Sequence, residues 1–213
     1  IPYTSCNEIT SKLTFNKSKC NKMLHKLKYK VPKSEIYSSN IRINYPCIVK
    51  PNCNGSSFGI SKVNTNKELK QAIEIAKQHA REIIIEDFIE GREVTCAVYN
   101  SNNILKALPI TEIISENEIF DYDAKYNGKS KEITPAKIEH SVTSKIKKIS
   151  KKIYTDLNLK GIVRIDFIIK KRTPYIIEIN TIPGFSEQSI VPKMLKVEKI
   201  TITDFISNQL NNI

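Results

Sequence analysis

Two neighbouring segments of the chain, 162–169 and 175–179, alternate between apolar and polar residues and flank a short polar turn. Because successive side chains of a strand point to opposite faces, this pattern predicts a hairpin with two different faces. One face is predicted to be polar and to carry Arg164, Asp166, Glu178 and Asn180. The other is predicted to pack in the core through Ile165, Phe167, Ile177 and Ile179.

The polar face needs partners, since charge that is buried without compensation is costly. A hard cation can supply them, because Mg²⁺ prefers carboxylate and amide oxygens, completed by water and nucleotide phosphates. We therefore predict a magnesium site at Asp166, Glu178 and Asn180, with Arg164 compensating the remaining charge. The strand pattern alone leaves a second interpretation open, in which Arg164 forms a salt bridge with Asp166 or Glu178 on an ordinary sheet face.

A second candidate site follows the predicted strand 45–51, where Lys50 precedes a loop at 52–59 that contains Gly55–Gly59 and is here called the glycine loop. Glycines let a backbone close on phosphate oxygens, its amides donate to them, and a lysine adds a point charge. The loop is not the GxxxxGK[ST] phosphate loop, which precedes a helix, and glycine loops also form ordinary hairpins. The loop alone therefore favours neither interpretation.

Two further segments stand out from the periodic pattern. Glu86–Ile89 leaves a predicted strand at 83–85, and a backbone there can pair with a purine edge while a carboxylate binds ribose hydroxyls. Residues 120–135 crowd polar and aromatic side chains into a stretch without periodicity, and loops of that length usually have a function. We interpret the second segment as a lid, although a packed surface loop would show the same composition.

The remaining elements follow from the spacing of apolar residues, which recurs at three and four in helices and at two in strands. Asn66 is the predicted N-cap of its helix, and the strands after residue 83 are predicted to be antiparallel. Helices are predicted over 15–27, 66–78, 138–157, 187–195 and 201–210, and strands over 45–51, 60–63, 83–85, 94–98 and 104–110.

Composition excludes several classes of protein. The net charge of +12 raises nucleic acid as a partner, but the lysines are spread through the chain and base-reading motifs are missing. No apolar run approaches the roughly 20 residues that a membrane helix needs. The five cysteines show no zinc-site spacing, which indicates reduced thiols in a cytoplasm. Cys53 lies in the glycine loop and is either a modifiable thiol or a passive small residue.

Six motifs follow one another along the chain, namely Ile1–Thr4, Val49–Pro51 with Gly55–Gly59, Glu86–Glu93, Asp121–Tyr126, Arg164–Phe167 and Glu178–Phe185. In this order they resemble the ATP-grasp superfamily and, within it, the D-alanine:D-alanine ligase family. The resemblance implies an α+β ATP-grasp fold, in which two α+β subdomains with largely antiparallel sheets enclose ATP. It also implies a helical entry segment at 1–34, a small subdomain at 35–113 and a large subdomain with the metal site at 114–213. The amino-terminal substrate domain that family members carry before the first motif is expected to be absent from these 213 residues.

The reaction that this resemblance implies joins two D-alanine molecules, with ATP first phosphorylating one carboxylate and the second amine then attacking the acyl phosphate. Two Mg²⁺ ions, replaceable by Mn²⁺, assist, and the dipeptide serves peptidoglycan precursor synthesis in the bacterial cytoplasm. The full-length enzyme is expected to be a homodimer that binds neither nucleic acid nor membrane, and these 213 residues alone are expected to be inactive. The alternatives are another carboxylate–amine or D-alanine:D-lactate ligase, or a non-catalytic ATP-binding fragment.

The family's nucleotide and metal residues carry over by position. Asp166 and Glu178 would bind one Mg²⁺, and Glu178 with Asn180 the other. Lys17 and Lys50 would hold the inner phosphates and Lys125 the transferring one. The remaining nucleotide contacts would come from Ser57, Glu86, Asp87, Phe88, Ile89, Glu93 and Phe167, with Glu86 and the backbone through Ile89 facing adenine and Glu93 on the ribose.

The substrate residues carry over in the same way. Arg164 and the amide of Gly184 would form an oxyanion hole for the tetrahedral intermediate. Ser56 and Tyr126 would orient the first D-alanine together with a glutamate of the amino-terminal domain. The second substrate would bind at Ser189, Ile190 and Gly184, with Ser189 on its carboxylate. Two departures from the family pattern lie outside the metal ligands, namely Asn16 in place of a common Asp and Asn54 in place of a frequent Glu.

Overall fold

The computed structural model describes residues 1–115 and 130–212. The helices in this part of the chain are α1 (Glu8–Phe15), α2 (Lys17–Lys26), α3 (Asn66–Lys77), α4 (His140–Asp156), α5 (Ile190–Val197) and α6 (Ile202–Leu210). The strands are β1 (Ser34–Ile36), β2 (Cys47–Pro51), β3 (Ser61–Val63), β4 (Ile83–Asp87), β5 (Arg92–Ser101), β6 (Ile104–Ala107), β7 (Thr111–Ser115), β8 (Ser130–Ile133), β9 (Val163–Lys170) and β10 (Thr173–Asn180). No helix among these residues is long and apolar enough to cross a membrane.

The strands form two sheets, and every pairing with a described register is antiparallel. One sheet has four strands in the order β1-β4-β2-β3. The other has six strands, of which five lie in the order β10-β9-β5-β7-β8, and the sixth, β6, pairs with β5. The predicted α+β class with largely antiparallel sheets is therefore confirmed. The predicted helices and most strands are present with small shifts at their ends.

Three details differ from the sequence-based expectations. The N-cap of α3 is Thr65, whose side chain accepts a hydrogen bond from the amide of Glu68, so the expectation of Asn66 was wrong. Strand β6 ends at Ala107 rather than Ile110, because Pro109 has no amide hydrogen for a ladder. The expectation also missed β1, β7 and β8.

The chain divides into two compact units. The first, here called the carboxylate unit, comprises Ile1–Thr14, Arg92–Ile113 and Glu132–Ile213; the second, the glycine-loop unit, comprises Phe15–Gly91 with the described part of Ile114–Lys131. These units interleave along the chain, whereas the expected division runs in sequence order. The reason is the pairing of β5 with β9, which joins an early strand to the late hairpin.

Each unit has an apolar interior where its helices cover a sheet. In the glycine-loop unit, α3 packs against β2 through Leu69, Ile73 and Ala76. In the carboxylate unit, α4 covers β5, with Ile146 and Ile153 both fully buried. Removing these side chains from water supplies the main stabilisation of each unit.

The hairpin of β9 and β10 positions the polar face that the sequence predicts. Its register pairs Asp166 with Glu178 and Arg164 with Asn180, which confirms the predicted neighbours. A bulge at Ile177 shifts the alternation, so that Ile176, exposed by only 1%, lies opposite Phe167 on the core face. The expectation that Ile177 would pack there was wrong for that reason.

Gly161 precedes this hairpin and allows a close backbone approach. Its φ is +66°, and a Cβ atom there would lie 1.8 Å from the carbonyl oxygen of Thr4. We expect Gly161→Ala to lower the free energy of unfolding by about 2 kcal/mol, through the strained φ and the clash with backbone. Urea unfolding measures the change, and Gly55→Ala is the matched control because nothing lies within 4 Å of its Cβ position. An equal change in both variants would contradict the expectation.

Candidate functional site

Asp166 lies at the centre of a hydrogen-bonded cluster in the carboxylate unit. It is 8% exposed and is flanked in the sheet by Thr95 on β5 and by Glu178 on β10. Arg164 donates to both carboxylate oxygens, over 2.9 Å and 3.0 Å. Thr95 Oγ1 donates to Oδ1 over 2.6 Å, and Asn180 Nδ2 donates to Oδ2 over 2.8 Å. Four donors therefore fix this carboxylate in one orientation.

The charge of Arg164 is held by the carboxylates around it. Burial lowers the pKa of this guanidinium, but the attraction of Asp166, its hydrogen bonds, and the further charges of Glu178 and Glu93 outweigh burial and raise the pKa above its ordinary value. Arg164 thus remains a buried cation among three carboxylates. A cation fixed in this way suits the stabilisation of negative charge that develops during a reaction.

The ion pair of Arg164 with Asp166 is the interaction that the strand pattern left open as an alternative to a metal site. Its presence does not remove the metal-binding donors, because Glu178 lies directly opposite Asp166 on the same face. Among residues 1–115 and 130–212, no group of three or more His, Cys, Asp or Glu side chains is placed to hold a metal. The donor set is instead two carboxylates and an amide, which fits a hard cation.

The glycine-loop unit contains a buried ion pair beside its loop. Lys50 Nζ lies 2.7 Å from Glu86 Oε2, and both side chains are about 5% exposed or less. Asn21 Nδ2 donates to the other oxygen of Glu86 over 2.9 Å and lies 3.1 Å from Ser34 Oγ. Lys50 and Glu86, both predicted to contact the nucleotide, are thus brought together, and their charges compensate each other.

The glycine loop has an unusual backbone at its two serines. Ser56 and Ser57 have φ of 57° and 60°, and the amide of Phe58 donates to the carbonyl of Gly55 over 3.4 Å. Two successive residues with positive φ are typical of a type I′ turn, where Gly and Asn are favoured over Ser. Strained side-chain-bearing residues of this kind cluster at functional sites. Lys17 is close by, since its Nζ donates to the carbonyl of Asn54 over 2.7 Å.

Two of the residues predicted to bind the second substrate lie together in the carboxylate unit. A Cβ atom on Gly184 would be 2.9 Å from Ser189 Oγ, so the two residues adjoin. Ser189 is the N-cap of α5, yet its hydroxyl makes no capping bond and instead shares a hydrogen bond with Ser186 over 2.8 Å. The third, Ile190, is buried at the start of α5.

The other predicted nucleotide residues are distributed as follows. Phe167 is fully buried on the core face, away from Asp166. Asp87 ends β4, and the ring of Phe88 lies 4.4 Å from Lys62 Nζ in a cation–π contact. Glu93 pairs with Ile168 across the sheet. Lys125 and Tyr126 lie outside the described residues.

The cysteines occupy buried positions with one exception. Cys6, Cys20, Cys47 and Cys96 are buried, and Cys53 in the glycine loop is partly exposed. Burial raises the pKa of Cys47 and of Cys96 to about 11, so both remain protonated thiols near neutral pH. Cys53 is therefore the most accessible of the five.

Three residues of these clusters were not identified from the sequence, namely Thr95, Asn21 and Asn52. Thr95 meets Asp166 across a separation of 71 residues, and Asn21 meets Glu86 across 65. Local spacing carries no signal for such partners. A weaker signal existed for Asn52, because it follows Lys50 closely at the start of the glycine loop.

Both the sequence and the fold of the chain are similar to those of known proteins. The sequence profile of the family described as D-ala D-ala ligase C-terminus matches residues 12–211. The D-alanine–D-alanine ligase of Flavobacterium johnsoniae is 44% identical over 219 residues, which cover 99% of this chain and 68% of that protein. The chain also resembles the solved structure of VanG D-Ala:D-Ser ligase from Enterococcus faecalis, with 31% identity and a TM-score of 0.87, covering 99% of this chain and 65% of that one.

A further structure contains the nucleotide. The D-alanine–D-alanine ligase of Bacillus anthracis complexed with ATP has a TM-score of 0.80 and 25% identity, covering 99% of this chain and 71% of that one. The two antiparallel sheets, the glycine loop and the carboxylate hairpin define an ATP-grasp ligase fold. The chain spans about two thirds of the length of the relatives it matches. It belongs to the D-alanine–D-alanine ligase family.

Proposed function

We propose that the full-length protein joins two D-alanine molecules in an ATP-dependent reaction that passes through an acyl phosphate. The observation that carries this proposal is the cluster in which Asp166 and Glu178 face each other beside the buried cation Arg164. A cluster of this kind suits phosphoryl transfer, which depends on positioning and charge neutralisation more than on a nucleophilic side chain. The family of the chain supplies the reaction class.

The proposed nucleotide contacts are given for each unit by itself. In the glycine-loop unit, Lys17 and Lys50 contact the inner phosphates, and Glu86 with the segment through Ile89 faces adenine. Support comes from the placement of Lys50, Glu86 and Lys17 around one loop. Ser57 of the glycine loop belongs to the same set. In the carboxylate unit, Glu93 contacts the ribose, whereas Phe167 is fully buried on the core face and is left out of the proposed contacts.

Mg²⁺ would be held by Asp166, Glu178 and Asn180, and it neutralises phosphate charge during phosphoryl transfer when bound. Asn180 donates its amide nitrogen to Asp166 in this structure, and rotation of the amide by half a turn presents the oxygen instead. Thr95 and Arg164 keep the carboxylate of Asp166 oriented throughout. Mn²⁺ is proposed as a substitute because it accepts the same oxygen ligands.

Arg164 and the amide of Gly184 are proposed to stabilise the oxyanion of the tetrahedral intermediate. Ser189, adjoining Gly184, would bind the carboxylate of the second substrate, with the backbone of Ile190 beside it. Ser56 and Tyr126 are proposed to orient the first D-alanine, and Lys125 to contact the transferring phosphate. A homodimer in the bacterial cytoplasm remains the proposed state of the full-length enzyme.

The proposal is tested by adding ATP, Mg²⁺ and D-alanine to the full-length protein and identifying the product by mass spectrometry. We expect one ADP for each D-alanyl-D-alanine and no ADP formation with L-alanine. The second candidate is a mixed ligation with D-serine, which the similarity to VanG D-Ala:D-Ser ligase favours. Competition between D-alanine, D-serine and D-lactate decides which second substrate is used. ADP release that does not depend on D-alanine, D-serine or D-lactate would contradict the ligase proposal.

A further inference from the structure

We propose that Asn52 is a positioning residue that fixes Lys17 and the glycine loop for phosphate binding. The inference rests on the proposed function, because it assigns Lys17 and the loop to ATP. Asn52 is the residue directly after β2 and is completely buried. It lies in the glycine-loop unit, as do all of its partners described below.

Asn52 uses both its backbone and its side chain to join three parts of the chain. Its carbonyl oxygen accepts from the amide of Lys17 over 3.1 Å, and Oδ1 accepts from the amide of Ser18 over 2.9 Å. Its backbone amide donates to the carbonyl of Glu82, and its side-chain Nδ2 donates to Glu82 Oε2, both over 2.9 Å. One buried side chain thus connects the start of α2, the start of the loop, and the residue before β4.

The partners of Asn52 at α2 are the amides that a helix leaves without an internal acceptor. Asn52 accepts from the first two, those of Lys17 and Ser18. Asn16, the N-cap, accepts from the third, since its Oδ1 is bonded to the amide of Lys19, and its carbonyl accepts the first intrahelical bond, from Cys20. The N-terminus of α2 is therefore satisfied by protein groups and holds the loop, while phosphate contact is assigned to the Lys17 side chain and the loop.

Lys17 is attached to the loop at both of its ends. Its backbone amide donates to Asn52, and its Nζ donates to the carbonyl of Asn54 over 2.7 Å. The side chain of Asn54 then accepts from the amide of Gly55 over 2.9 Å, which continues the chain of contacts toward the serines. Because buried hydrogen bonds of this kind define geometry, loss of Asn52 is expected to release Lys17 and the loop together.

The test exploits the donor and acceptor pattern between Asn52 and Glu82 in the full-length protein. Asn52→Asp is isosteric and keeps an acceptor for Ser18, but it places a carboxylate against the carboxylate of Glu82. We expect about a tenfold rise in KM for ATP, because a buried donor is lost and two like charges meet beside the loop. KM for the second D-alanine, which is assigned to Ser189 and Gly184 in the carboxylate unit, is expected to stay unchanged. The double variant Asn52→Asp with Glu82→Gln restores a donor opposite the new carboxylate and is expected to recover KM for ATP.

A second pair of variants covers the case in which Asn52→Asp does not fold. Ser18→Pro removes the amide that Asn52 Oδ1 accepts from, at a helix position where proline is tolerated. Ser18→Ala keeps that amide and is the matched control. We expect ATP to bind severalfold more weakly to Ser18→Pro, and with unchanged affinity to Ser18→Ala. Calorimetry with ATP and Mg²⁺ measures both affinities.

These measurements separate the inference from the proposed function. If the wild-type protein forms no dipeptide, the proposed function fails, and calorimetry still reports whether Asn52 controls nucleotide affinity. An unchanged KM and Kd for ATP in Asn52→Asp would overturn the inference while leaving the ligase proposal intact. Equal rises in KM for ATP and for the second D-alanine, or no recovery in the double variant, would also overturn it, because a purely structural role predicts those results.

Discussion

Replacing Asp166 by asparagine is expected to reduce kcat for ligation by about 1,000-fold while the protein remains folded. The variant keeps the shape of the side chain but removes the negative charge that Arg164 and Asn180 contact. It also removes a proposed ligand of Mg²⁺. Losing a fixed electrostatic contact to the reacting groups costs about 100- to 1,000-fold in other enzymes, and two functions are lost here at once.

The matched control for this variant is Asp156→Asn in the same unit. Asp156 forms a surface ion pair with Lys152, and such pairs contribute at most about 1 kcal/mol. We expect its kcat to change less than about twofold. Near-normal kcat in Asp166→Asn, with folding confirmed by circular dichroism, would exclude Asp166 from the reaction.

Replacing Lys50 by methionine is expected to lower the free energy of unfolding by about 3–5 kcal/mol, because it leaves Glu86 as a buried charge without its partner. Asn21 still donates to Glu86, but one neutral hydrogen bond does not replace the ammonium group. Urea unfolding of the variant measures this loss. Calorimetry with ATP and Mg²⁺ is expected to show loss of nucleotide affinity in the same variant.

A double variant separates the two effects of Lys50. Lys50→Met with Glu86→Gln removes both charges and keeps an oxygen for Asn21, so we expect most of the stability to return while ATP binding stays lost. Lys77→Met is the matched control, since its pair with Glu74 is more than half exposed on both sides and contributes little. Recovery of ATP affinity in the double variant would show that Lys50 has only a structural role.

The carboxylate hairpin shows how far the sequence predicts this fold. Strict alternation gave both strands and the partners Asp166 and Glu178, because register follows from which side chains must be buried. It failed at Ile177, since a bulge depends on local backbone geometry that alternation does not encode. The interleaved units were not predicted for a similar reason, as the β5 and β9 pairing joins distant parts of the chain.

The candidate site was predictable in its residue types but not in its supporting contacts. Arg164 with Asp166 could be read as an ion pair or as part of a metal site, and the structure shows the ion pair together with a donor set suited to a cation. Thr95 was beyond prediction, because only the folded chain brings it near Asp166. Asn52 had a weak signal in its closeness to Lys50, but its partner Ser18 is near it only in the folded chain. The roles of Lys125 and Tyr126 stay predictions, since both lie outside the described residues.

Transfer of an oxygen atom tests the central claim most directly. With D-alanine labelled by ¹⁸O in its carboxylate, a carboxylate oxygen attacks the terminal phosphorus of ATP, whose bond to the bridging oxygen of ADP breaks. ADP leaves, and the labelled oxygen becomes the bridging atom of the acyl phosphate. Attack by the second amine then breaks the bond between the acyl carbon and that oxygen, so the label leaves with phosphate. We predict one ¹⁸O atom in the phosphate released for each dipeptide formed by the full-length protein, and dipeptide formed with unlabelled phosphate would contradict the account.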